Sequence, residues 1–292
     1  MLTTDKISQW FEEYTESFKK NGELEPMLRL KKKHSMRVAQ ISAAIAESME
    51  WNESGDSLKA YAVGLLHDTG RFPQYRDYGT FLDSASIDHG DLSAEILEKY
   101  FPWEDENETK FLVVSAVKYH NKKDIPTNIS LSAYKWAALI RDADKIDIFR
   151  MVQNRIDNGT IFDMLPRHRH VEGLSPALVE EIDKSGRGSY CNAKSLQDYR
   201  LIQLTWGCDL NFPVSAVTLK EEGIFERICS DLKIYNIDYL IEKLMKKIYG
   251  YKLTDYWRNI ATVDDYFETN MDFLKPETRD YFFKQYPDIY SK

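Results

Sequence analysis

Almost from its first residue, this chain repeats apolar side chains at the spacing of one face of an α-helix. Ile7, Trp10, Phe11, Tyr14 and Phe18 follow one another at steps of three, one, three and four, which stack on a 3.6-residue period and not on the two-residue period of a strand. Thr4 is placed to cap this segment and Asn21-Gly22 to stop it. The pattern predicts a second helix from Pro26 to about Met49, with His34, Val38, Ile41 and Ile45 on one stripe. A third opens near Asp56 or Ser57 and ends at His67-Asp68-Thr69-Gly70. Further helices are predicted from residue 86 or 88 through 100, over 106–120 and 132–155, around 177–184, and over 196–210, 215–235 and 237–249, with short ones at 264–273 and 277–286. Gly and Pro together make only 22 of the 292 residues, against about 12% in an average chain. So few turn formers favour an all-α fold over a many-stranded one. Residues 71–83 break the periodicity with Pro73 and Gly79, and read as a loop of the length that often serves as a lid or binding loop. No repeat or linker cuts the chain. The expected organisation is one domain over 1–250, with a helical extension over 251–292 packed on it.

Charge and cysteine content exclude several roles. The formal net charge is −8, which argues against duplex nucleic acid as a partner, because such binders need a basic face to release counterions. No apolar stretch approaches the ~18 residues of a membrane-crossing helix, and the mean hydropathy is −0.51. The opening MLTTDKISQW lacks the basic-then-apolar order of a secretory signal. Cys191, Cys208 and Cys229 are odd in number and form no CxxC, as expected of reduced thiols in a cytoplasmic protein.

Six histidines are present, and four of them, His34, His67, His89 and His120, fall on four different predicted helices or their ends. A single histidine on an apolar face is usually a core residue with satisfied nitrogens; the neighbours of these four argue otherwise. His67 is followed directly by Asp68 where Gly70 lets the backbone turn, so two side chains that would diverge by ~100° inside a helix can converge. An imidazole with a carboxylate suits Mn, Fe, Co, Ni or Zn rather than Ca or Mg. Asp142 and Asp144 interrupt an apolar helical run, where an acid without a cation is costly. Asp142 is expected to pair with Arg141, Lys145 and Arg150 on a solvated face, whereas Asp144, in phase with Ala137 and Ile140, fits that role less well. His168 and His170 sit in a polar PRHRHVEG stretch without matching acids and read as solvated loop residues.

KKHSMRVA around His34, AVGLLHDTGR around the His67-Asp68 pair and LIRDADKID around Asp144 resemble the HD superfamily of metal-dependent phosphohydrolases. RFPQYRDYGTF and SIDHGDLSAEIL are similar to a bacterial branch of it, and the later TWGCDLNFP weakly so. The resemblance spans roughly residues 28–155. It implies a helical bundle in which His34, His67, Asp68 and Asp144 hold a divalent transition metal, Asp144 being preferred to Asp142 because the family's ligand precedes a basic and an apolar residue. His89 and His120 lie where two-metal members place added ligands, with Asp68 then bridging. In single-metal members similar histidines instead contact substrate phosphate or donate a proton, so one or two ions remain open.

The implied chemistry is hydrolysis of a phosphate ester by a metal-activated water, on a small phosphorylated substrate such as a nucleotide. Lys145 is the leading cation for the phosphate, with Arg71, Lys33 and Arg76 as further substrate contacts and Lys118 a weaker one. Asp68 or His89 is placed to deliver a proton to the leaving group. Tyr75, Tyr78 and Phe81 offer faces for a base. The rival reading is a non-catalytic ligand-sensing or interaction module on the same helical core; such modules usually lack some metal residues, and here all are present. Monomer and homodimer remain open.

Overall fold

A computed structural model describes residues 2–51, 53, 55–103, 108–165 and 170–249. The chain divides into units 1–248 and 249–292. The helices expected at 264–273 and 277–286, the packing expected of 251–292 and His168 lie outside the described residues. Among the described residues there is no strand, only one isolated bridge, Lys20 to Glu23, as an all-α fold requires.

The described residues form thirteen α-helices in order: α1 (Thr4–Glu16), α2 (Pro26–Ser48), α3 (Asp56–Leu66), α4 (Arg71–Tyr78), α5 (His89–Tyr100), α6 (Glu108–Tyr119), α7 (Leu131–Asp157), α8 (Ile161–Met164), α9 (Pro176–Ser185), α10 (Leu196–Gly207), α11 (Pro213–Glu221), α12 (Ile224–Leu232) and α13 (Asp238–Tyr249). Local chemistry sets their starts. Thr3, one residue before the expected cap, accepts from the Lys6 N–H to open α1. Asp88 and Ser130 cap α5 and α7 in the same way. Ser195 and Asp198 close a reciprocal capping box on α10. Pro26, Pro176 and Pro213 occupy first turns, where no N–H is needed.

The bundle is organised around α7. Its Trp136, Leu139, Ile140, Ala143, Ile146 and Phe149 are buried, and it packs against α2, α3, α6, α11 and α12. Such a helix is apolar around most of its circumference, as a central helix must be. α2 and α3 approach unusually closely at Gly64, where an added Cβ would lie 2.6 Å from the Ala39 Cα. α1 closes one side, with the Tyr14 hydroxyl donating to the Thr69 carbonyl at 2.9 Å.

Two expectations need correcting. Residues 71–78 are helical: Pro73 falls within the first turn of α4, which tolerates it, and Gly79 ends the helix at φ 65°. Residues 213–232 form two helices, because Gly223 turns the chain at φ 67° between α11 and α12. No helix of the described residues is long and apolar enough to cross a membrane.

Candidate metal centre

Five elements deliver one cluster. His34 comes from the middle of α2, His67 and Asp68 from the end of α3, His89 from the first turn of α5, His120 from just past α6, and Asp144 from α7. The turn after His67-Asp68 needs glycine: at Gly70 a Cβ would lie 2.6 Å from the His89 carbonyl oxygen, and its N–H donates to Ser93 Oγ at 2.7 Å. That close approach carries the His-Asp pair onto the start of α5.

Asp68 sits at the centre, 2% exposed. Its Oδ2 lies 3.7 Å from His34 Nε2 and 3.4 Å from His67 Nε2, while its Oδ1 lies 3.5 Å from His89 Nε2 and 3.9 Å from His120 Nε2. Asp144 Oδ1 joins the first pair, 3.0 Å from His34 Nε2 and 3.9 Å from His67 Nε2. The carboxylate of Asp68 therefore faces two histidine pairs with its two oxygens. His34, His67 and Asp68 form one set capable of holding a metal ion, and Asp68, His89 and His120 form a second.

Each imidazole is turned inward by what its other nitrogen does. His34 Nδ1 bonds Asp147 Oδ2 at 2.7 Å, His67 Nδ1 the Gly64 carbonyl at 2.8 Å, His89 Nδ1 Asp83 Oδ2 at 2.6 Å and His120 Nδ1 the Val117 carbonyl at 2.6 Å. Carbonyls and carboxylates only accept, so each Nδ1 donates and each neutral ring presents a bare Nε2. This is the arrangement by which outer partners orient metal-binding histidines. His34 Nε2 and His67 Nε2 are buried without a hydrogen-bond partner. His89 Nε2 and His120 Nε2 stand 3.1 Å apart; two lone pairs so close repel, but ligands ~2.1 Å from one ion are about 3 Å apart.

The charge states agree. Burial, and then Lys31, His67 and Arg71, act on Asp68: burial opposes its charge, the cations outweigh it, and the carboxyl stays well below its usual range. Burial pushes the His120 imidazole well below its ordinary value, with His89 and His67 adding to the effect. His89 is lowered too, chiefly by burial. His34 is the exception. Burial and Lys31 disfavour its cation, yet Asp144 and Asp147 on either side raise it, and a divalent cation beside Asp144 would compete with a proton on Nε2. The donor set, the orphaned nitrogens and the clustered acids all fit a divalent transition metal.

The expected cations divide. Lys145 lies beside the cluster, but its ammonium is bound to Asp209 Oδ2 at 2.6 Å and to the Asp209 carbonyl at 2.7 Å. Arg71 braces the cluster, with Nη1 on Asp83 Oδ1 at 2.9 Å and Nε 3.5 Å from Asp68 Oδ1. Arg76 is engaged by Asp77 and lies over the Phe18 ring; Lys33 lines a different cavity. The structure does not bring either of these two to the cluster. Lys118, on α6 near His120, is exposed, and so is His170. Tyr75 and Phe81 pack together, 4.9 Å between ring centroids, and Tyr78 is exposed.

Four residues escape a reading by local pattern. Lys31 reaches Asp68 Oδ2 at 2.7 Å, Asp147 and Asp83 orient His34 and His89, and Asp209 holds Lys145 and Arg141. Asp142, expected on a solvated face, is fully buried and accepts from the backbone of Asn211 and Phe212 and from the Asn211 amide. It anchors the 208–212 strap between α10 and α11 on α7 and lies outside the cluster. That strap, with residues from 181–190, walls a cavity of about 760 Å³ that includes His120, Asp144, Lys122, Lys123, Arg141 and Lys145 in its lining.

Comparison with curated proteins and with solved structures found no match. Residues 32–154 match the family model of the HD domain, a family whose members are generally metal-dependent hydrolases, and the match runs from just before His34 to just past Asp147. The match is consistent with an HD-superfamily domain over residues 32–154.

Proposed function

We propose that this centre binds two divalent transition-metal ions and hydrolyses a phosphate ester of a small molecule, with a nucleotide as the best-fitting substrate class. One observation carries the reading: Asp68 presents one oxygen to His34 and His67 and the other to His89 and His120. His34, His67 and Asp144 would serve one ion and His89 and His120 the other, with Asp68 shared. When bound, such ions supply Lewis acidity and lower the pKa of water towards ~7.

The chain's own residues set the rest. Asp144 is the ligand with an open side, 26% exposed against 2% for Asp68, so substrate enters over it from the 760 Å³ cavity. Lys145 and Arg141 share Asp209, which leaves them partly neutralised and fixed in position. Lys123 makes no salt bridge among the described residues, which makes it the readiest cation for an incoming phosphate. Tyr190 and Trp206, with ring centroids 6.4 Å apart on the same wall, offer aromatic surface to a base. With its Nδ1 held by Asp83 and its Nε2 turned to the second ion, His89 is a ligand in this arrangement, and it would deliver a proton only where a single ion leaves it free. A cytoplasmic setting supplies both nucleotides and reduced thiols.

The test is a screen of nucleotides, phosphodiesters and sugar phosphates with Mn, Co, Ni, Mg and Zn, run beside a His67→Ala control. Metal-dependent turnover that the control loses supports the assignment. Turnover equal in both proteins, or none with any metal, counts against it.

A further inference from the structure

We propose that the chain carries a second ligand site, a cationic cavity between α2 and α7 that binds a nucleoside polyphosphate. It does not rest on the hydrolytic reading. The cavity is about 740 Å³, within the range of small-molecule sites. It shares no lining residue with the cavity over the metal cluster.

Its charge is the reverse of the chain's. Arg29, Lys33, Arg37, Arg150 and Arg155 line it, with Asp147 as the sole acid, in a protein of net charge −8. That acid is already engaged, chelated by Arg37 at 2.6 and 2.8 Å and bonded to His34. Arg150 is held by Glu222, and Arg29 lies 3.4 Å from Glu23. Lys33 and Arg155 make no salt bridge among the described residues. A concave surface with two uncommitted cations and three more around it focuses positive potential regardless of net charge, and guanidinium groups favour phosphate.

The remaining lining favours an organic phosphate over a bare ion. Leu30, Ile41 and Met151 supply apolar surface, and Asn154 and Asn158 supply carboxamides suited to the edge of a base or to ribose hydroxyls. Lys33, one residue from His34 on the same helix, is directed to this cavity while His34 faces the metal cluster.

Calorimetric titration of the full chain with ATP, in chelator so that the metal centre takes up no nucleotide through bound ions, tests the site, with inorganic tripolyphosphate as a second arm. ATP is expected to bind wild type and His67→Ala with equal affinity, to bind Lys33→Glu/Arg155→Glu at least about tenfold more weakly, and to bind more tightly than tripolyphosphate. Thermal melts establish that the double variant is folded; if it is not, Lys33→Gln/Arg155→Gln takes its place. No ATP binding to wild type, equal binding to the double variant, or loss of binding in His67→Ala would overturn the site. Tripolyphosphate binding as tightly as ATP would overturn the nucleoside assignment.

Discussion

The two halves of the cluster are built differently. On one side, His34 and Asp144 project from the interiors of long helices, and His34 is backed by Asp147, itself clamped by Arg37. On the other side, His89 and His120 occupy helix ends, held by Asp83 and by the Val117 carbonyl. Asp83 in turn depends on Arg71 and Gln74 of the short helix α4 and on Asn121 just past α6. His34 is thus positioned from the core and His89 by the Asp83 network, while His67 and His120, at the ends of α3 and α6, are each held by a carbonyl of their own helix. The first half is therefore expected to be the stiffer and tighter metal site, and the second the one that loses its ion first.

The largest effect that would break this contrast is at the shared residue. Asp68→Ala is expected to release both ions and lower turnover by more than about 10³-fold, on the scale of losing a principal electrostatic contribution, with helical content retained by circular dichroism. Next, His89→Ala is expected to keep one equivalent of metal and lose about 10²-fold in turnover. If the variant keeps two equivalents, the two halves are not separate sites. Smaller effects sharpen the comparison. Asp147→Asn and Asp83→Asn are each expected to weaken one ion by about 10–100-fold, the first acting on the His34 side and the second on the His89 side, as read by competitive metal titration. Equal weakening of both ions in either variant would erase the distinction. Smallest for the metal is Asp142→Ala. It strands the Asn211 and Phe212 N–H groups and should cost about 1–3 kcal/mol of stability while leaving metal content unchanged.

The helices and the His67-Asp68 pair are legible because their signals are local, whereas the grouping of His34, His89, His120 and Asp144 with that pair comes through the family resemblance. Apolar stripes mark α2, α3 and α7, and a His-Asp pair before Gly70 can only converge at a helix end. The misreadings come from what a helix does within one turn. Lys31 is three residues before His34 and shares its face, whereas Lys33 is adjacent and points elsewhere. Asp142, Asp144 and Asp147 lie on one helix, yet one anchors the strap, one joins the cluster and one orients His34. Identical chemistry at neighbouring positions is sorted only by what packs opposite. The strap around Asp209 and the wall from 181–190 meet α7 from far along the chain, so no local pattern could place them over the site. Asp147 did leave a trace, lying three residues after Asp144 and thus near it on the helix surface.

Metal content tests the central claim most directly. Protein purified without chelators is analysed by inductively coupled plasma mass spectrometry beside His67→Ala. Two transition-metal equivalents in wild type, reduced in the variant, are the predicted result. No bound metal in wild type, or the same content in both proteins, would contradict it.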